Sequence, residues 1–414
     1  MLVGWVVLAV ALDVALGAAV AAVHPKDEAP TAVGQTGASS PADTGSGQPL
    51  SSTCLETSTV RPEHRRYVDE ASPDEQAWIP EYWCEFDRLT SEYVPYLFSR
   101  TEDTEQQMFN IEDGVRRSYE VASDDPSLPV IWFFGGSTMF GWGQRDEHTI
   151  PSEVARLSEE AGLPVRVVNF GNLAWVHWQE VLAFERELAH RPAPDLVVFY
   201  DGVNDANVQG AQGTDSIRPS DDPTIYDFDD DPGPPLVPIL GTAPAQEEDE
   251  SIPDRWAANS AVAQLARGVS GVLGLAPAPA AAAEAPPPDL VVQRTLEVYE
   301  RGRALALRMA ERSAVRARFF WQPRLGNVPD DVYEQAERDR MPPQDREIER
   351  AILDGLSEPT VDLSGAFDGL DPDDIFTDGA HTNERGARFV AEALWEHLAP
   401  DVEALDGASG TGAG

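Results

Sequence analysis

Three short apolar runs, each followed at once by a glycine-containing polar block, restrict this chain to few folds. The runs are Pro129–Phe134, Val165–Phe170 and Leu196–Tyr200. Their β-branched and aromatic side chains are typical of strands that are buried on both faces of a parallel sheet. Polar residues that follow such strands gather at one edge of the sheet, where open α/β folds bind their ligands.

Helical patterns separate these runs. Val181, Phe184 and Leu188 repeat at spacings of three and four, and Thr149 followed by Pro151 indicates the start of another helix. Five strands that alternate with helices predict a parallel α/β layer structure with right-handed crossovers. The later predicted elements are a long helix over residues 292–307, strands at Arg318–Trp321 and Thr360–Leu363, and a last helix at Asn383–Leu398.

Five residues near these blocks can build one acyl-transfer centre. Ser137 can act as a nucleophile, while the Gly171 amide and the Asn204 carboxamide can donate hydrogen bonds to a substrate oxygen. Asp378 precedes His381 by three residues, so its carboxylate can fix one imidazole nitrogen while the other nitrogen takes the serine proton. Each residue alone fits an ordinary turn or helix cap. The ordered set predicts a catalytic triad with an oxyanion hole.

The same ordered blocks resemble those of the SGNH hydrolases, also called GDSL esterases and lipases. The blocks are Gly135–Thr138, Asn169–Gly171, Gly202–Asp205 and Asp378–His381, and the resemblance spans residues 129–399 apart from a long insert. It implies a flavodoxin-like three-layer α/β/α domain with a five-stranded parallel sheet.

The resemblance also implies roles for individual residues. Ser137 corresponds to the nucleophile, Asp378 and His381 complete the triad, and the Ser137 amide joins Gly171 and Asn204 in the oxyanion hole. The family often has aspartate before the serine, whereas this chain has Gly136, so we expect a Gly-Gly-Ser subgroup.

The expected activity is hydrolysis of an O-acyl ester through an acyl-enzyme, with acetyl as the expected acyl group. The substrate is then a small acyl ester or an acylated glycan. A polysaccharide O-acetyltransferase would use the same triad, because the residue pattern is the same whether water or a sugar hydroxyl accepts the acyl group. An inactive membrane-tethered binding module is the remaining alternative, and the complete set of catalytic roles disfavours it.

Composition excludes several other functions. The formal charge of −42 would repel a phosphate backbone, which disfavours nucleic acid as a partner. The histidines lack the spacing of zinc hydrolases. Asp227, Asp229 and Asp231 alternate as in a calcium-binding loop, but Pro232 stands where such a loop needs glycine. We therefore expect no metal and no cofactor. Trp142 and His177 follow the first two blocks and are candidates to line the substrate pocket.

The N-terminal region predicts an extracytoplasmic location, either secreted or anchored. Leu2–Val23 is apolar over a length that can cross a bilayer, and it fits either an anchor or a cleaved signal. Export would permit a disulfide between Cys54 and Cys84, although two free thiols fit the spacing equally well. The predicted regions are a signal peptide or anchor over 1–24, a disordered linker over 25–59, a helical cap over 60–128, a hydrolase domain over 129–405 and a disordered tail over 406–414. The hydrolase domain contains a long insert at 208–288, which is either a lid over the active site or a surface excursion.

Overall fold

The computed structural model describes residues 62–69, 75–211, 286–328, 341 and 343–410. The predicted targeting segment, the linker, most of the insert and the last four residues lie outside these ranges. Among the described residues, no helix combines the length and the apolar character that crossing a bilayer requires.

Helices and strands alternate along the described chain. The helices are α1 Pro62–Asp69, α2 Ile79–Phe86, α3 Ser137–Phe140, α4 Ile150–Glu160, α5 His177–His190, α6 Val203–Ala211, α7 Pro288–Arg312, α8 Pro343–Gly355 and α9 Glu384–Gly410. The strands are β1 Ser91–Val94, β2 Phe98–Thr101, β3 Thr104–Glu105, β4 Asn110–Glu112, β5 Val115–Arg116, β6 Val130–Gly135, β7 Arg166–Asn169, β8 Leu196–Asp201, β9 Arg316–Trp321 and β10 Thr360–Asp362.

The main sheet has the strand order β10-β9-β8-β6-β7-β5-β4-β3. Strands β10, β9, β8, β6 and β7 are parallel neighbours, and in chain order they follow the flavodoxin-like sequence 2-1-3-4-5. The predicted count of five strands is too low, because β5, β4 and β3 extend the sheet beyond β7 as antiparallel strands. These strands contain only two or three residues each, too few to show a periodic pattern in the sequence.

Alternate side chains of the central strands fill two apolar cores, one on each face of the sheet. Ile131 and Phe133 of β6 pack with residues of α4 and α9 on one face. Trp132 and Phe134 of the same strand pack with residues of α5 and α7 on the other. Burial of both faces explains why the strands are continuous apolar runs in the sequence, and it gives the three α/β/α layers.

Most predicted helix positions agree with the structure. Thr149 is the N-cap of α4, where its hydroxyl accepts a hydrogen bond from the Ser152 amide. The last helix begins one residue after its predicted start but continues to Gly410, past the predicted end at Leu398. Pro400 lies within this helix and does not end it.

The segment predicted as a helical cap is mixed rather than helical. After α1 and α2, the chain forms the antiparallel β1–β2 hairpin and then the three strands that extend the main sheet. The aromatic residues of α1, α2 and the turn before β4 form a core that also contains Phe140 of α3 and Leu173, whereas Tyr93 and Tyr96 of the hairpin are exposed. The cap therefore packs beside the end of β6, where the first polar block begins.

Cys84 of α2 is buried and disulfide-bonded. The only other cysteine in the chain is Cys54, which lies outside the described residues. Of the two states that the sequence allows for Cys84, the structure shows the disulfide.

Candidate active site

Ser137 and His381 lie 244 positions apart in the chain and are in hydrogen-bond contact. Ser137 is the first residue of α3, directly after β6 and Gly136. Its Oγ lies 2.7 Å from Nε2 of His381, which belongs to the loop before α9. The parallel sheet brings the two residues together, because the carboxyl ends of its strands lie along the same edge.

Asp378 holds the His381 ring from the opposite side. Its Oδ2 accepts a hydrogen bond from His381 Nδ1 at 2.7 Å, while its Oδ1 accepts from the amides of Ala380 and His381 at 2.8 and 2.7 Å. We assign the ring proton to Nδ1 from these partners. Nε2 then carries a lone pair that faces the serine hydroxyl.

The Asp378 carboxylate is held in its ionised form. Burial alone would raise its pKa, but the attraction of a protonated His381 and the hydrogen bonds from its ring and amide outweigh burial, so the pKa lies well below its ordinary value. The Ala380 amide contributes in the same direction. An ionised carboxylate at this position stabilises the imidazolium that forms when His381 takes a proton.

Two further contacts support the triad: one from Tyr67 of the cap, which the sequence did not suggest, and one from Trp142, which the sequence named as a pocket candidate. The Tyr67 hydroxyl of α1 donates to Asp378 Oδ2 at 3.0 Å, so this oxygen accepts hydrogen bonds from both Tyr67 and His381. Trp142 stacks on the His381 ring with 4.9 Å between ring centroids and an interplanar angle of 22°. Trp142 itself packs against Phe86 and Trp83 of the cap. Trp142 thus lies at the predicted site, where it supports the imidazole.

Asn204 lies beside the nucleophile. Its Nδ2 donates to the Trp175 carbonyl oxygen at 2.8 Å, which fixes the carboxamide and leaves its second N–H for another acceptor. A Cβ atom at Gly136 would lie only 2.4 Å from this nitrogen. The glycine before Ser137 is therefore required for Asn204 to approach, and it explains why this chain has no aspartate there.

We expect the Gly136→Ala variant to fold normally and to lose activity. Gly136 has φ −77° and ψ −154°, outside the left-handed region that favours glycine, so the added methyl group acts chiefly by displacing Asn204. Loss of one oxyanion donor typically lowers kcat by about 10²- to 10³-fold. The measurement is kcat on an activated acetyl ester, with the melting temperature as control. An unchanged kcat in Gly136→Ala would show that Asn204 does not contribute to the rate.

The structure does not support the predicted role of Gly171. Its amide donates to the Asn169 side-chain oxygen at 2.9 Å and so has no proton left for a substrate. A Cβ atom at Gly171 would lie 2.4 Å from the backbone nitrogen of Phe140. Close packing of this loop against α3 is thus the reason for glycine at this position.

Ala174, which the sequence did not suggest, is a second candidate for the backbone donor. Its φ of 59° is left-handed, which is uncommon for a residue with a side chain. The backbone here lies beside the residue that precedes Ser137, because the carbonyl oxygen of Trp175 is 3.2 Å from the position that a Cβ atom of Gly136 would occupy. The Ala174 amide donates to no acceptor among the described residues. A sequence pattern does not predict a positive φ at an alanine, which is why Ala174 was missed.

His177 does not line a substrate pocket, contrary to the sequence prediction. Its side chain is completely buried, and its ring packs against Tyr299 and Phe199. Its Nδ1 contacts Oδ2 of Asp201 at 2.9 Å. His177 therefore belongs to the protein interior beneath the polar edge.

No protein-family model and no curated protein sequence matches this chain. Among solved structures, the chain is similar to the acetyl xylan esterase AlAXEase, with 15% identity and a TM-score of 0.34 over 65% of this chain and 99% of that chain. It is also similar to an acetyl xylan esterase from Geobacillus stearothermophilus, with 15% identity and a TM-score of 0.34 over 66% and 96% of the two chains.

A third similar structure is a protein from Desulfitobacterium hafniense DCB-2 that is described as a member of the G-D-S-L family of lipolytic proteins. Identity to it is 11% and the TM-score is 0.32, over 65% of this chain and 98% of that chain. Likenesses this distant transfer neither a substrate nor a residue role, so the roles rest on the geometry of this chain. Its strand order, with Ser137 after β6 and His381 before α9, is the arrangement that the resemblance to the SGNH hydrolases implied.

Proposed function

We propose that this protein is a serine-dependent ester hydrolase that cleaves an O-acyl ester through an acyl-enzyme. The observation that carries the proposal is the continuous hydrogen-bonded path from Ser137 Oγ through both ring nitrogens of His381 to Asp378. An imidazole oriented in this way activates a hydroxyl that is unreactive by itself.

The reaction then has two halves. His381 Nε2 takes the proton of Ser137 as Oγ forms a bond to the ester carbonyl carbon. The bond between that carbon and the alcohol oxygen breaks, and His381 donates its proton to the departing alcohol. In the second half His381 takes a proton from water, whose oxygen bonds to the acyl carbon, and the proton returns to Ser137 as the acid leaves.

Three donors are available to the oxyanion of each half-reaction in our proposal. The Ser137 amide belongs to the first residue of α3, where a helix leaves its N–H groups unpaired. Asn204 offers its second carboxamide N–H, and Ala174 offers its backbone amide in place of Gly171. Fixed donors favour a tetrahedral oxyanion over the planar ester, which lowers the barrier selectively.

We further propose that the protein works outside the cytoplasm. The disulfide at Cys84 supports an oxidising compartment, because cytosolic thiols are normally kept reduced. The apolar segment Leu2–Val23 supports export in the same way. An ester of a cell-surface glycan or a small extracellular ester is the substrate class that fits this location, with acetyl as the expected acyl group.

An acyl-enzyme trapping experiment tests the function directly. The wild-type protein is treated with a fluorophosphonate, which bonds covalently to activated serines, and the labelled peptide is identified by mass spectrometry. We expect the label on Ser137 and not on the neighbouring hydroxyl of Thr138. Absence of any label on Ser137, together with no hydrolysis of p-nitrophenyl acetate, would contradict the proposal.

The acyl group and the acceptor are tested on the same preparation. Hydrolysis rates across p-nitrophenyl esters from acetyl to octanoyl should be highest for acetyl. Addition of an unacetylated glycan separates the two acceptors, because only a transferase forms an acetylated glycan as its product. A rate that rises with chain length would instead indicate a lipid ester.

A further inference from the structure

A cluster of three buried, titratable side chains lies outside the proposed catalytic residues. His177 and Glu180 are three positions apart on α5 and so share one face of the helix. Asp201 is the last residue of β8 and faces both of them. One nitrogen or oxygen atom from each residue lies within 4.8 Å of the others, and the three residues are 0–2% exposed.

The polar atoms of this cluster are poorly satisfied. When both carboxyl groups are ionised, His177 Nε2, both oxygens of Glu180 and Oδ1 of Asp201 are buried without a hydrogen-bond partner among the described residues. Within the cluster, His177 Nδ1 and Asp201 Oδ2 form a hydrogen bond, and a proton on the Glu180 carboxyl group would form a second one with Asp201. Buried carboxylates are normally paired or bound to a metal, because an isolated buried charge is very unfavourable.

Within the described residues, no arginine forms an ion pair with Glu180 or Asp201, although arginine pairs with many other acidic groups. The chain has a single lysine, Lys26, in the N-terminal region. Among the described residues, His177 is the group in contact with these carboxylates that can carry positive charge, and one imidazolium balances only one of the two carboxylates, whereas a bound divalent cation would balance both.

We propose that His177, Glu180 and Asp201 bind one divalent transition-metal cation, Zn²⁺ or Mn²⁺. One imidazole nitrogen with two carboxylate oxygens is a donor set that these ions accept, whereas Ca²⁺ and Mg²⁺ prefer oxygen ligands alone. The two carboxylates balance the charge of a divalent cation. A Cβ atom at Gly302 would lie 2.6 Å from the His177 ring, so α7 closes over the imidazole only because this residue is glycine.

The position of the cluster assigns the cation a structural role. Trp175, whose carbonyl oxygen holds Asn204, lies two residues before His177. Asp201 lies three residues before Asn204. A cation bound to both α5 and β8 links the two segments that position the oxyanion donors. Since its ligands are buried, it does not contact the substrate.

Metal content measures this site independently of catalysis. The full chain, produced without a polyhistidine tag in medium supplemented with zinc or manganese, is purified, passed over a chelating resin and analysed by inductively coupled plasma mass spectrometry. We expect about one zinc or manganese ion per chain in the wild type and less than about a tenth of that in Glu180→Gln, because an uncharged amide is a poor ligand. Glutamine preserves the volume of the side chain and removes a buried charge, so this variant should fold.

A matched control uses the contact between His148 and Glu153, which are 3.1 Å apart. Glu153→Gln makes the same change in a pair whose glutamate also contacts Arg388, and it should retain the metal. The loaded wild type should melt at a higher temperature than the metal-free wild type, and Glu180→Gln should show no such difference.

Two results would overturn the metal site. Wild-type protein without metal from either medium would show that protons, not a cation, neutralise the carboxylates. Glu180→Gln with as much metal as the wild type would place the ion elsewhere, for example at His381. Neither result affects labelling of Ser137, so the proposed hydrolase activity and the metal site are tested separately.

Discussion

The Ser137→Ala variant should lose hydrolysis of p-nitrophenyl acetate by roughly 10⁴- to 10⁶-fold in kcat, the range found when a triad nucleophile is removed. The physical reason is that, in the part of the chain that the structure describes, Ser137 Oγ is the oxygen that His381 Nε2 contacts, at 2.7 Å. The oxyanion donors remain, so residual catalysis above the rate in water is expected. The measurement is the initial rate at saturating ester, and circular dichroism and mass spectrometry establish that the variant is folded and intact.

The adjacent hydroxyl offers a matched control. Thr138 is the next residue of α3, and its Oγ1 contacts Gln322 at 3.4 Å rather than a triad residue. Thr138→Val removes a hydroxyl from the same short helix at nearly constant volume, and its kcat should stay within about tenfold of the wild type. If Ser137→Ala retained full activity, or if both variants lost it equally, Ser137 would not be the nucleophile.

The central sheet was predictable because burial on both faces leaves a strong signal. Phe133 and Phe134 face opposite cores, so the strand that carries them is apolar throughout. The meeting of Ser137 with His381 then follows from parallel α/β connectivity, whereas the strand order was implied only by the resemblance to the SGNH hydrolases. This part of the site needs only the ends of strands, which a sequence pattern locates to within one or two residues.

The residues that the sequence misplaced depend on tertiary contacts. Gly171 and Ala174 are three positions apart, and only the backbone path shows that the Gly171 amide is occupied and that Ala174 has a positive φ. Tyr67 reaches Asp378 across 311 positions of sequence, a contact that no local pattern encodes. His177 follows a polar block but points into the interior, because a helix that starts at this residue turns its first side chain toward the sheet.

The Asp378→Asn variant should lose about 10⁴-fold in kcat while Ser137 and His381 remain in place. An asparagine Nδ2 that faces His381 Nδ1 cannot accept its proton, so the imidazole is driven to the tautomer with hydrogen on Nε2. That nitrogen then donates toward Ser137 and cannot act as a base. Tyr67→Phe is the graded comparison, because it removes one of the donors to Asp378 Oδ2 but leaves the carboxylate, and its kcat should fall by no more than about tenfold.

The pH dependence of stability tests whether the negative charge of Asp378 stabilises the folded protein. Its pKa in the folded protein is lower than in the unfolded chain, so the ionised carboxylate contributes stability above the ordinary pKa of about 4, and this contribution is lost as pH falls toward the folded value. Asparagine does not titrate. The difference in unfolding free energy between wild type and Asp378→Asn should therefore be largest above about pH 5 and shrink as pH falls below about 4. Melting curves at pH 3 to 7 measure it, and a pH-independent difference would mean that the charge of Asp378 is not stabilised by His381.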